Sequence, residues 1–391
     1  MNSNKSKQAL KILKKTHEES LILNPTENIP LDSNINLNFI EGMYIPEEPR
    51  DENSKVIFAG RKNLNELYDD WCEYLDAKAV TFKPHSGLDA HISVFMALGQ
   101  IGEKILLLPE EAGGHFSTYQ ILSRLGFDVQ SFIIDKEQYK VDIPRSMALI
   151  KNWKPDYIFV DRSEGLYYED FSWLKDFSCI KVFDASQYLT NIMAKDYKNP
   201  FDMGFDIILT SLHKNYPGPQ KAAIFFRQKD ELYEQIMNGL SIYISNIHPK
   251  DVYSLLLNLP SKSELKSYSQ KMLSTTRLLE KNLLQNGLPV VKRDFQRTWT
   301  QHLWLRPNSK VKTYEFFRLL EKLHILTNYR LLPYNLGYGL RIGTAAAVRQ
   351  GLDEESVPAL ADLIAKAYYQ NFLNDALKES ARTTITSIKK K

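Results

Sequence analysis

The sequence has few cysteines, no long apolar run and almost no net charge. Its two cysteines, Cys72 and Cys179, lack the CxxC spacing of a zinc site, and they are too few for a disulfide framework. The N-terminal stretch has no apolar signal-peptide core, and no apolar run reaches the roughly 20 residues that span a bilayer. Lysine and arginine number 50 against 47 acidic residues, which gives no global field for nucleic acid. We therefore expect a cytoplasmic protein without a membrane, nucleic-acid or metal partner.

The length and apolar content predict more than one domain. With 391 residues, 43% of them hydrophobic, the chain can bury a large core. Short apolar runs alternate with helix-sized segments in the first part, and long helical patterns follow. We expect an N-terminal arm over residues 1–30, a large domain over 31–250 and a smaller C-terminal α/β domain over 251–391.

Apolar runs in the first part predict a mainly parallel β-sheet. Short strands that alternate with helices are typical of a parallel sheet covered on both faces. The predicted strands are 79–83, 104–109, 127–135, 156–163, 180–186, 207–209 and 222–226. The predicted fold class is therefore α/β.

The stretch FDIILTSLHKNYPGPQKAAIFFR, residues 205–227, contains the first candidate for catalysis. Lys214 follows an apolar strand, where partial desolvation favours the neutral amine that can attack an aldehyde. Thr210 and Ser211 supply hydroxyl groups for a phosphate. These features predict a lysine that forms a Schiff base with pyridoxal 5'-phosphate. A single lysine at a strand end is more often a solvated side chain, so the prediction depends on the residues that accompany it.

Two further positions fit the pyridine nitrogen and the phosphate of that cofactor. Asp184 ends an apolar strand, at the edge where α/β sheets bind ligands. An anion there keeps a pyridinium nitrogen protonated, which makes the ring an electron sink. Ser86 and Gly87 stand where a helix begins, and helix N-termini bind phosphate. The same pair is also an ordinary helix cap.

Three other residues are candidates for contact with cofactor or substrate. His115 follows two glycines and opens a helix, so its ring can stack on a flat cofactor. Arg341 lies in a short strand, where its guanidinium can clamp a carboxylate. Glu41 has apolar and aromatic neighbours in the irregular segment 38–50, which favours a general acid or base. A capping histidine, a surface ion pair and an ordinary loop glutamate are the respective alternatives.

The order and spacing of these motifs are similar to those of one enzyme family. Over residues 18–370 the chain resembles serine hydroxymethyltransferase, a family of fold-type-I pyridoxal phosphate enzymes. The matching stretches are LILNPTEN, FIEGMYIP, PHSGLDA, GGHFS, DASQ, SLHKNYPGPQKA and LRIGTAAAVRQG. The resemblance implies a fold-type-I transferase with a mainly parallel seven-stranded sheet in the large domain. It also implies a homodimer with shared active sites.

The resemblance assigns cofactor contacts to residues of the large domain. Lys214 would form the bond with pyridoxal 5'-phosphate, Asp184 would hold the pyridine nitrogen, and His115 would stack on the ring and take part in catalysis. The remaining cofactor contacts would come from Ser86, Gly87, Ser163, Gln187 and His213.

The resemblance also assigns residues to the substrate. Thr26 and Arg341 would bind the α-carboxylate of an amino acid, and Glu41 would be the acid–base carboxylate, supplied by the neighbouring subunit. Phe39 and Phe58 stand where the family has tyrosines, so two phenolic hydroxyl groups near the substrate are lost.

Other departures from the family affect the one-carbon acceptor. The segment NYRLLPYNLGYG, residues 328–339, is shorter than the family's folate-contacting loop and does not match it. Phe116 replaces a leucine beside the pteridine, and Gln187 replaces a histidine at the cofactor's 3-oxygen. Because most of the pyridoxal-binding residues are retained, these changes favour a reaction without tetrahydrofolate.

The expected reaction cleaves or forms the Cα–Cβ bond of a β-hydroxy amino acid, through a glycine quinonoid and with an aldehyde as second substrate. We expect an aldolase or transaldolase; a folate-dependent glycine/serine hydroxymethyltransferase is the alternative, and an aminotransferase is a further one. A desulfurase is disfavoured because Cys72 and Cys179 are poorly placed for a mobile thiol. A noncatalytic pyridoxal-binding protein is disfavoured because Lys214, Asp184, Glu41 and Arg341 are retained together.

Overall fold

The computed structural model describes residues 2–31, 36–43, 61–291 and 299–390, with the side chains of 2–4 and 61–66 left out. The chain forms two compact units, one of Met1–Ile29 with Gln270–Lys391 and one of Pro30–Ser269. The domain boundaries expected at residues 30 and 250 stay a prediction. No helix in these described ranges is both long and apolar enough to span a bilayer.

The secondary structure of the described residues alternates between strands and helices. The strands are β1 (Leu21–Ile22), β2 (Ala79–Thr81), β3 (Lys104–Leu107), β4 (Asp128–Ser131), β5 (Ile134–Asp135), β6 (Lys140–Val141), β7 (Tyr157–Val160), β8 (Ile180–Asp184), β9 (Ile207–Ser211), β10 (Ala222–Phe226), β11 (His302–Leu305), β12 (Ile325–Leu326), β13 (Asn328–Leu332) and β14 (Gly337–Gly343). The helices are α1 (Asn2–Glu19), α2 (Arg61–Leu75), α3 (Gly87–Leu98), α4 (Thr118–Arg124), α5 (Ile143–Trp153), α6 (Leu189–Met193), α7 (Glu231–Tyr243), α8 (Pro249–Leu257), α9 (Lys262–Gln285), α10 (Lys310–Lys322), α11 (Ala345–Arg349), α12 (Val357–Gln370) and α13 (Asp375–Lys389).

A seven-stranded sheet forms the centre of the larger unit. Its strand order is β2-β10-β9-β8-β7-β3-β4. The five strands from β9 to β4 are parallel, and β10 pairs antiparallel with both β2 and β9. This sheet confirms the predicted mainly parallel α/β fold. Because the parallel strands point the same way, the loops after β7, β8 and β9 leave the sheet at one edge, where such folds bind ligands.

The apolar strand sequences are explained by burial on both faces of this sheet. Every residue of β9 and β10 is buried. On one face, α3 and α7 cover the strands and bring Phe95 and Leu240 into a core that also contains Val182, Leu209 and Ile224. A charged side chain inside these strands would be desolvated, so polar residues cluster at the strand ends.

The single strand predicted over residues 127–135 is two strands in the structure. β4 belongs to the main sheet, whereas β5 turns away and pairs antiparallel with β6. The Asp135 carboxylate accepts hydrogen bonds from the N–H groups of Glu137 and Gln138, both at 3.0 Å. Tyr139 has a positive φ of 52°. These local turn contacts form a hairpin that the apolar pattern did not reveal.

The smaller unit combines the N-terminal segment with the C-terminal part of the chain. β11, β14 and β13 form an antiparallel sheet, and β1 pairs in parallel with β12. Leu303 and Ile342 of this sheet pack with Leu360 and Ile364 of α12 in a separate core. The parallel pairing of β1 explains why the N-terminal residues belong to this unit.

Candidate active site

The turn that presents Lys214 lies between β9 and β10. Lys214 is half-buried, whereas Asn215 beside it is fully buried. The Asn215 amide oxygen accepts the N–H of Thr190 at 2.7 Å, and its amide nitrogen donates to the Asn191 side chain at 3.0 Å. The N–H of Gly218 donates to the Leu212 carbonyl at 2.7 Å, which closes the turn. Lys214 is therefore held on a rigid segment at the carboxyl end of a buried strand.

Asp184 is a buried carboxylate at the end of β8, the neighbouring strand. Burial alone would raise its pKa, but the hydrogen bond and charge of His91, the charge of Lys214 and a hydrogen bond from Ser186 lower that pKa below its usual value. Oδ2 lies 2.9 Å from Nε2 of His91, and Oδ1 accepts the N–H of Ser186 at 2.7 Å. The site thus keeps a negative charge where a pyridinium nitrogen needs one.

Ser86 and Gly87 form the start of α3 beside the end of β9. The Ser86 hydroxyl accepts the N–H of Asp89 at 3.2 Å and caps the helix. A Cβ on Gly87 would lie 3.1 Å from the Cβ of Ser211, so a larger residue would crowd this turn. The Ser186 hydroxyl accepts the N–H of Ser211 at 2.8 Å. The Ser211 hydroxyl is buried and has no hydrogen-bond partner among the described residues, which suits a site for a phosphate oxygen.

A buried lysine stands next to the same turn. Lys221 is fully buried, and its Nζ lies 3.1 Å from both the Lys83 carbonyl and Nδ1 of His85. The His85 ring stacks on His248 with the centroids 3.8 Å apart. Burial, followed by the charges of Lys221 and His248, lowers the pKa of His85 to about 4. A neutral histidine and a buried lysine therefore flank the start of α3.

The loop that carries His115 is tied to the loop after β7 through Asp161. The Asp161 carboxyl accepts the Thr118 hydroxyl at 2.6 Å and the His115 N–H at 3.3 Å. Burial and the charge of Asp184 raise the pKa of Asp161 well above its usual value, although the hydrogen bonds oppose the shift. The surroundings of the two carboxyl groups thus act in opposite directions, favouring the ionised form of Asp184 and the neutral form of Asp161.

Gly113 allows those two loops to approach closely. Its φ is +88°, and a Cβ there would lie 2.0 Å from the carbonyl oxygen of Glu164. Ser163 belongs to the same loop, where its N–H donates to the Asp161 carbonyl at 2.8 Å. Gln187 is buried in the loop after β8, 2% exposed. The predicted cofactor residues of the larger unit thus lie at strand ends, at the start of α3 and on the loops between strands and helices.

His213 is half-buried beside Lys214. Burial and the charge of Lys214 lower the pKa of His213 from 6.5 to about 4. Its Nδ1 is buried without a hydrogen-bond partner in the part of the chain that is described. The imidazole is therefore neutral near neutral pH.

The lowered pKa of His213 predicts a loss of stability in acid. The unfolded chain takes up this proton near pH 6.5 and the folded chain only near pH 4, so unfolding becomes easier as the pH falls through that window. At about pH 5 the cost from this group is about 2 kcal/mol. Urea unfolding of the apoprotein should show a larger loss from neutral pH to pH 5 in the wild type than in His213→Asn. Equal losses in the two proteins would contradict the assignment.

Arg341 and Thr26 both lie in the smaller unit. Arg341 is 2% exposed in the central strand β14, paired with Trp304 on one side and Asn328 on the other. The N–H of Gly343 donates to the Leu23 carbonyl at 2.8 Å, so the segment before Thr26 runs beside the end of β14. The structure thus brings together the chain segments of both predicted carboxylate-binding residues.

The Thr26 side chain is oriented by a local turn. Its hydroxyl donates to the Asn24 side chain at 2.8 Å, and its N–H donates to the same oxygen at 3.2 Å. Asn24 in turn donates to the Glu27 carboxylate at 3.0 Å. Because its one proton is engaged, the Thr26 hydroxyl presents lone pairs rather than a donor in this arrangement.

Glu41 is solvent-exposed in the described structure. Its carboxylate is 66% exposed and forms an ion pair with Lys250 at 3.0 Å. Phe39, two residues earlier, is also exposed, and Phe58 lies outside the described residues. The apolar surroundings expected from the sequence neighbours of Glu41 are therefore absent from the described part of the chain.

The sequence reasoning missed His91, Asp161 and Asn215. Each is buried and holds a predicted site residue or its loop in place. His91 offered one signal, because it is a single histidine inside an apolar helix. Asp161 and Asn215 gave none, since an acid after a strand or an asparagine in a turn is common.

The described residues of the larger unit fit pyridoxal 5'-phosphate. They offer a half-buried lysine for its aldehyde and an ionised buried carboxylate for its pyridine nitrogen. For its phosphate they offer the N-terminus of α3 with the buried, unbonded Ser211 hydroxyl. The donor set therefore matches the three polar ends of the cofactor.

Comparison with known proteins identifies the family of this chain. The family model "Serine hydroxymethyltransferase" matches residues 65–364. The serine hydroxymethyltransferase of Saccharolobus solfataricus is 26% identical over 380 residues, 92% of this chain and 86% of that protein. That of Aeropyrum pernix is 28% identical over 301 residues, 73% of this chain and 68% of that protein. A crystal structure of L-threonine transaldolase from Pseudomonas fluorescens in its internal aldimine state has a TM-score of 0.86 at 20% identity, covering 99% and 94% of the two chains.

These matches confirm the resemblance, the fold-type-I fold and the enzyme class predicted from the sequence. They also confirm pyridoxal 5'-phosphate as the cofactor and small molecules as the substrates. The matched segment spans more than half of the chain. The protein therefore belongs to the serine hydroxymethyltransferase family.

Proposed function

We propose that the protein cleaves or forms the Cα–Cβ bond of a β-hydroxy amino acid. The fragment that carries Cβ would leave or enter as a free aldehyde and would not be transferred to or from a folate. The observation that carries this proposal is the short connection between β13 and β14. Only residues 333–336 separate the two strands, which pair as far as Leu332 and Gly337. The family's folate-contacting loop belongs to this segment, and the hairpin leaves no extended loop in its place.

Aromatic packing makes this hairpin a compact structure. Tyr329 of β13 and Tyr338 of β14 stack with their centroids 5.3 Å apart, and Lys310 lies 4.4 Å above the Tyr338 ring. Tyr314 packs edge-on against Tyr329 at 5.6 Å. Stacked rings and a cation–π contact resist opening of the turn. This rigidity supports a reaction without tetrahydrofolate, and the fold shared with an L-threonine transaldolase is in keeping with it.

The cofactor would be held by the residues of the larger unit. Lys214 would hold its aldehyde carbon through Nζ, and the Asp184 carboxylate would hold the proton on its pyridine nitrogen. Ser86 and Gly87, with the Ser211 hydroxyl, would bind its phosphate through hydrogen-bond donors. The bound cofactor supplies an electron sink for the bond broken at Cα. His115 would stack on its ring, while Ser163, Gln187 and His213 would complete its surroundings.

The substrate would be oriented and deprotonated by three residues. Arg341 would bind the α-carboxylate through its two-pronged guanidinium, with Thr26 nearby in the chain fold, and so fix the direction of the Cα–Cβ bond. Glu41 would accept the β-hydroxyl proton at a carboxylate oxygen as the aldehyde leaves. Because Glu41 is exposed in one subunit, we propose that it acts in the site of a partner subunit of a homodimer.

Other activities are less well supported. A folate-dependent hydroxymethyltransferase is the first alternative and would need a pteridine site elsewhere. An aminotransferase would use the same lysine and aspartate. A desulfurase needs a reactive thiolate, yet burial raises the pKa of Cys72 to about 12 and also raises that of Cys179.

The direct test is aldehyde release and exchange. The purified holoenzyme is incubated with L-threonine or L-serine, with and without tetrahydrofolate, and the released aldehyde is measured. A second aldehyde is then added, and new β-hydroxy amino acids are sought by mass spectrometry. We expect release and exchange that do not depend on tetrahydrofolate. Turnover of serine only in the presence of tetrahydrofolate would support the alternative instead.

A further inference from the structure

His91 makes a buried contact with Asp184 from helix α3. It lies on α3, its side chain is 5% exposed, and Nε2 is 2.9 Å from Oδ2 of Asp184. The Phe159 ring meets the imidazole edge-on, with the centroids 4.9 Å apart. His115 also meets it edge-on, at 6.0 Å. The helix and these rings therefore fix the direction of the His91 side chain.

The hydrogen-bond geometry decides which ring nitrogen of His91 carries the shared hydrogen. An ionised carboxylate can only accept, so Nε2 must carry the shared hydrogen. Nδ1 is buried and has no hydrogen-bond partner among the described residues. The contact with Asp184 therefore requires a hydrogen on Nε2, and the buried Nδ1 takes no part in it.

The surroundings of Asp184 make this hydrogen bond important. Asp184 already accepts the Ser186 N–H at Oδ1, and His91 occupies one direction at Oδ2. Burial raises the pKa of the Asp184 carboxyl. The hydrogen bond from His91 is the largest of the interactions that lower that pKa. The remaining lone pairs of the two oxygens are thus left for further donors.

We propose that His91 is a positioning residue that fixes the orientation and the charge of Asp184, and thereby sets how tightly the protein binds the pyridine nitrogen of its cofactor. This inference rests on the proposed contact between Asp184 and that nitrogen, and it is independent of which β-hydroxy amino acid is cleaved. A histidine that merely fills the core would give a different result, because its replacement by an apolar side chain would leave cofactor binding unchanged.

Three variants separate the hydrogen bond from packing. His91→Leu removes the donor and keeps an apolar side chain. His91→Gln keeps an amide donor at about the reach of Nε2. Phe159→Leu removes the ring that packs on His91 and leaves the hydrogen bond in place. The first readout is the Kd of pyridoxal 5'-phosphate for each apoprotein, and the second is the visible spectrum of each holoenzyme across pH.

We expect His91→Leu to weaken cofactor binding by about tenfold or more, the loss typical of one hydrogen bond to a charged group. We expect His91→Gln and Phe159→Leu to stay within about threefold of the wild type. The pH dependence of the spectrum should shift in His91→Leu only. Wild-type affinity and an unshifted spectrum in His91→Leu, or equal losses in His91→Leu and Phe159→Leu, would overturn the proposal.

Nitrogen-15 NMR of the wild-type apoprotein gives a test that does not need the His91 variants to fold. The proposal predicts a hydrogen on Nε2 of His91 and a changed Nε2 signal in Asp184→Asn. A hydrogen on Nδ1 alone would overturn it. Asp184→Asn also separates the proposed contact between Asp184 and the cofactor from the proposed role of His91. Unchanged cofactor affinity in that variant would remove the proposed Asp184 contact, whereas reduced affinity there and wild-type affinity in His91→Leu would overturn only the role of His91.

Discussion

Replacing Lys214 by alanine is expected to abolish the covalent attachment of the cofactor and to lower activity by at least about a thousandfold. Lys214 stands on a turn held by the buried Asn215, and its amine is half-buried next to Asp184 and His213. Without this amine the protein holds the cofactor only by noncovalent contacts. No lysine amine is then available to displace the product from the cofactor. The visible absorbance of the attached cofactor should disappear, and turnover should be lost with every amino acid tested.

A second lysine provides the control for this experiment. Lys221 lies on the same connection between β9 and β10, but it is fully buried against His85 and the Lys83 carbonyl. Reduction of the wild-type holoenzyme with borohydride, followed by peptide mapping, should place the cofactor on Lys214. Attachment at Lys221, or turnover that survives in Lys214→Ala, would contradict the assignment.

Replacing Asp184 by asparagine is expected to lower the rate of Cα–Cβ cleavage by about a hundredfold or more, the scale of removing one preorganised charge from a buried site. The amide cannot hold a proton on the pyridine nitrogen, so the ring withdraws electrons less strongly. The readout is kcat with a β-hydroxy amino acid at saturating cofactor.

Asp161→Asn is the matched control for that variant. Burial and the charge of Asp184 raise the pKa of Asp161 and so favour its neutral form. An amide of the same shape therefore removes no charge and can keep its acceptor toward Thr118 and the His115 N–H. We expect a much smaller loss of rate. A larger loss in Asp161→Asn than in Asp184→Asn would mean that the two carboxyl groups have been assigned the wrong charges.

The main sheet could be predicted because its signal is local. The apolar runs that became β8, β9 and β10 are buried on both faces, so each shows as a short hydrophobic block between helical segments. Residues at the ends of those blocks, such as Lys214 and Asp184, could be singled out for the same reason. The predicted strand at 127–135 was wrong in its second half, since the Asp135 turn that forms the β5–β6 hairpin depends on side-chain hydrogen bonds.

The contacts that support the site could not be read from the sequence. His91 and Asp184 are far apart in the chain and meet only because α3 packs on the sheet. The pKa of Asp161 is raised only because the fold buries it near another acid. The surroundings of Glu41 could not be read from the sequence either. Its sequence neighbours are apolar, yet its carboxylate is exposed and paired with Lys250, so its proposed role depends on a second subunit.

The most direct test of the proposed reaction is a titration of the purified holoenzyme with glycine, with and without tetrahydrofolate, followed by visible absorbance. The account predicts that glycine alone produces a long-wavelength band. It also predicts that tetrahydrofolate leaves the band unchanged, because only residues 333–336 connect β13 and β14. A band that grows with tetrahydrofolate would contradict the folate-independent reaction and favour a hydroxymethyltransferase. No spectral change with glycine would contradict Cα–Cβ chemistry on glycine altogether.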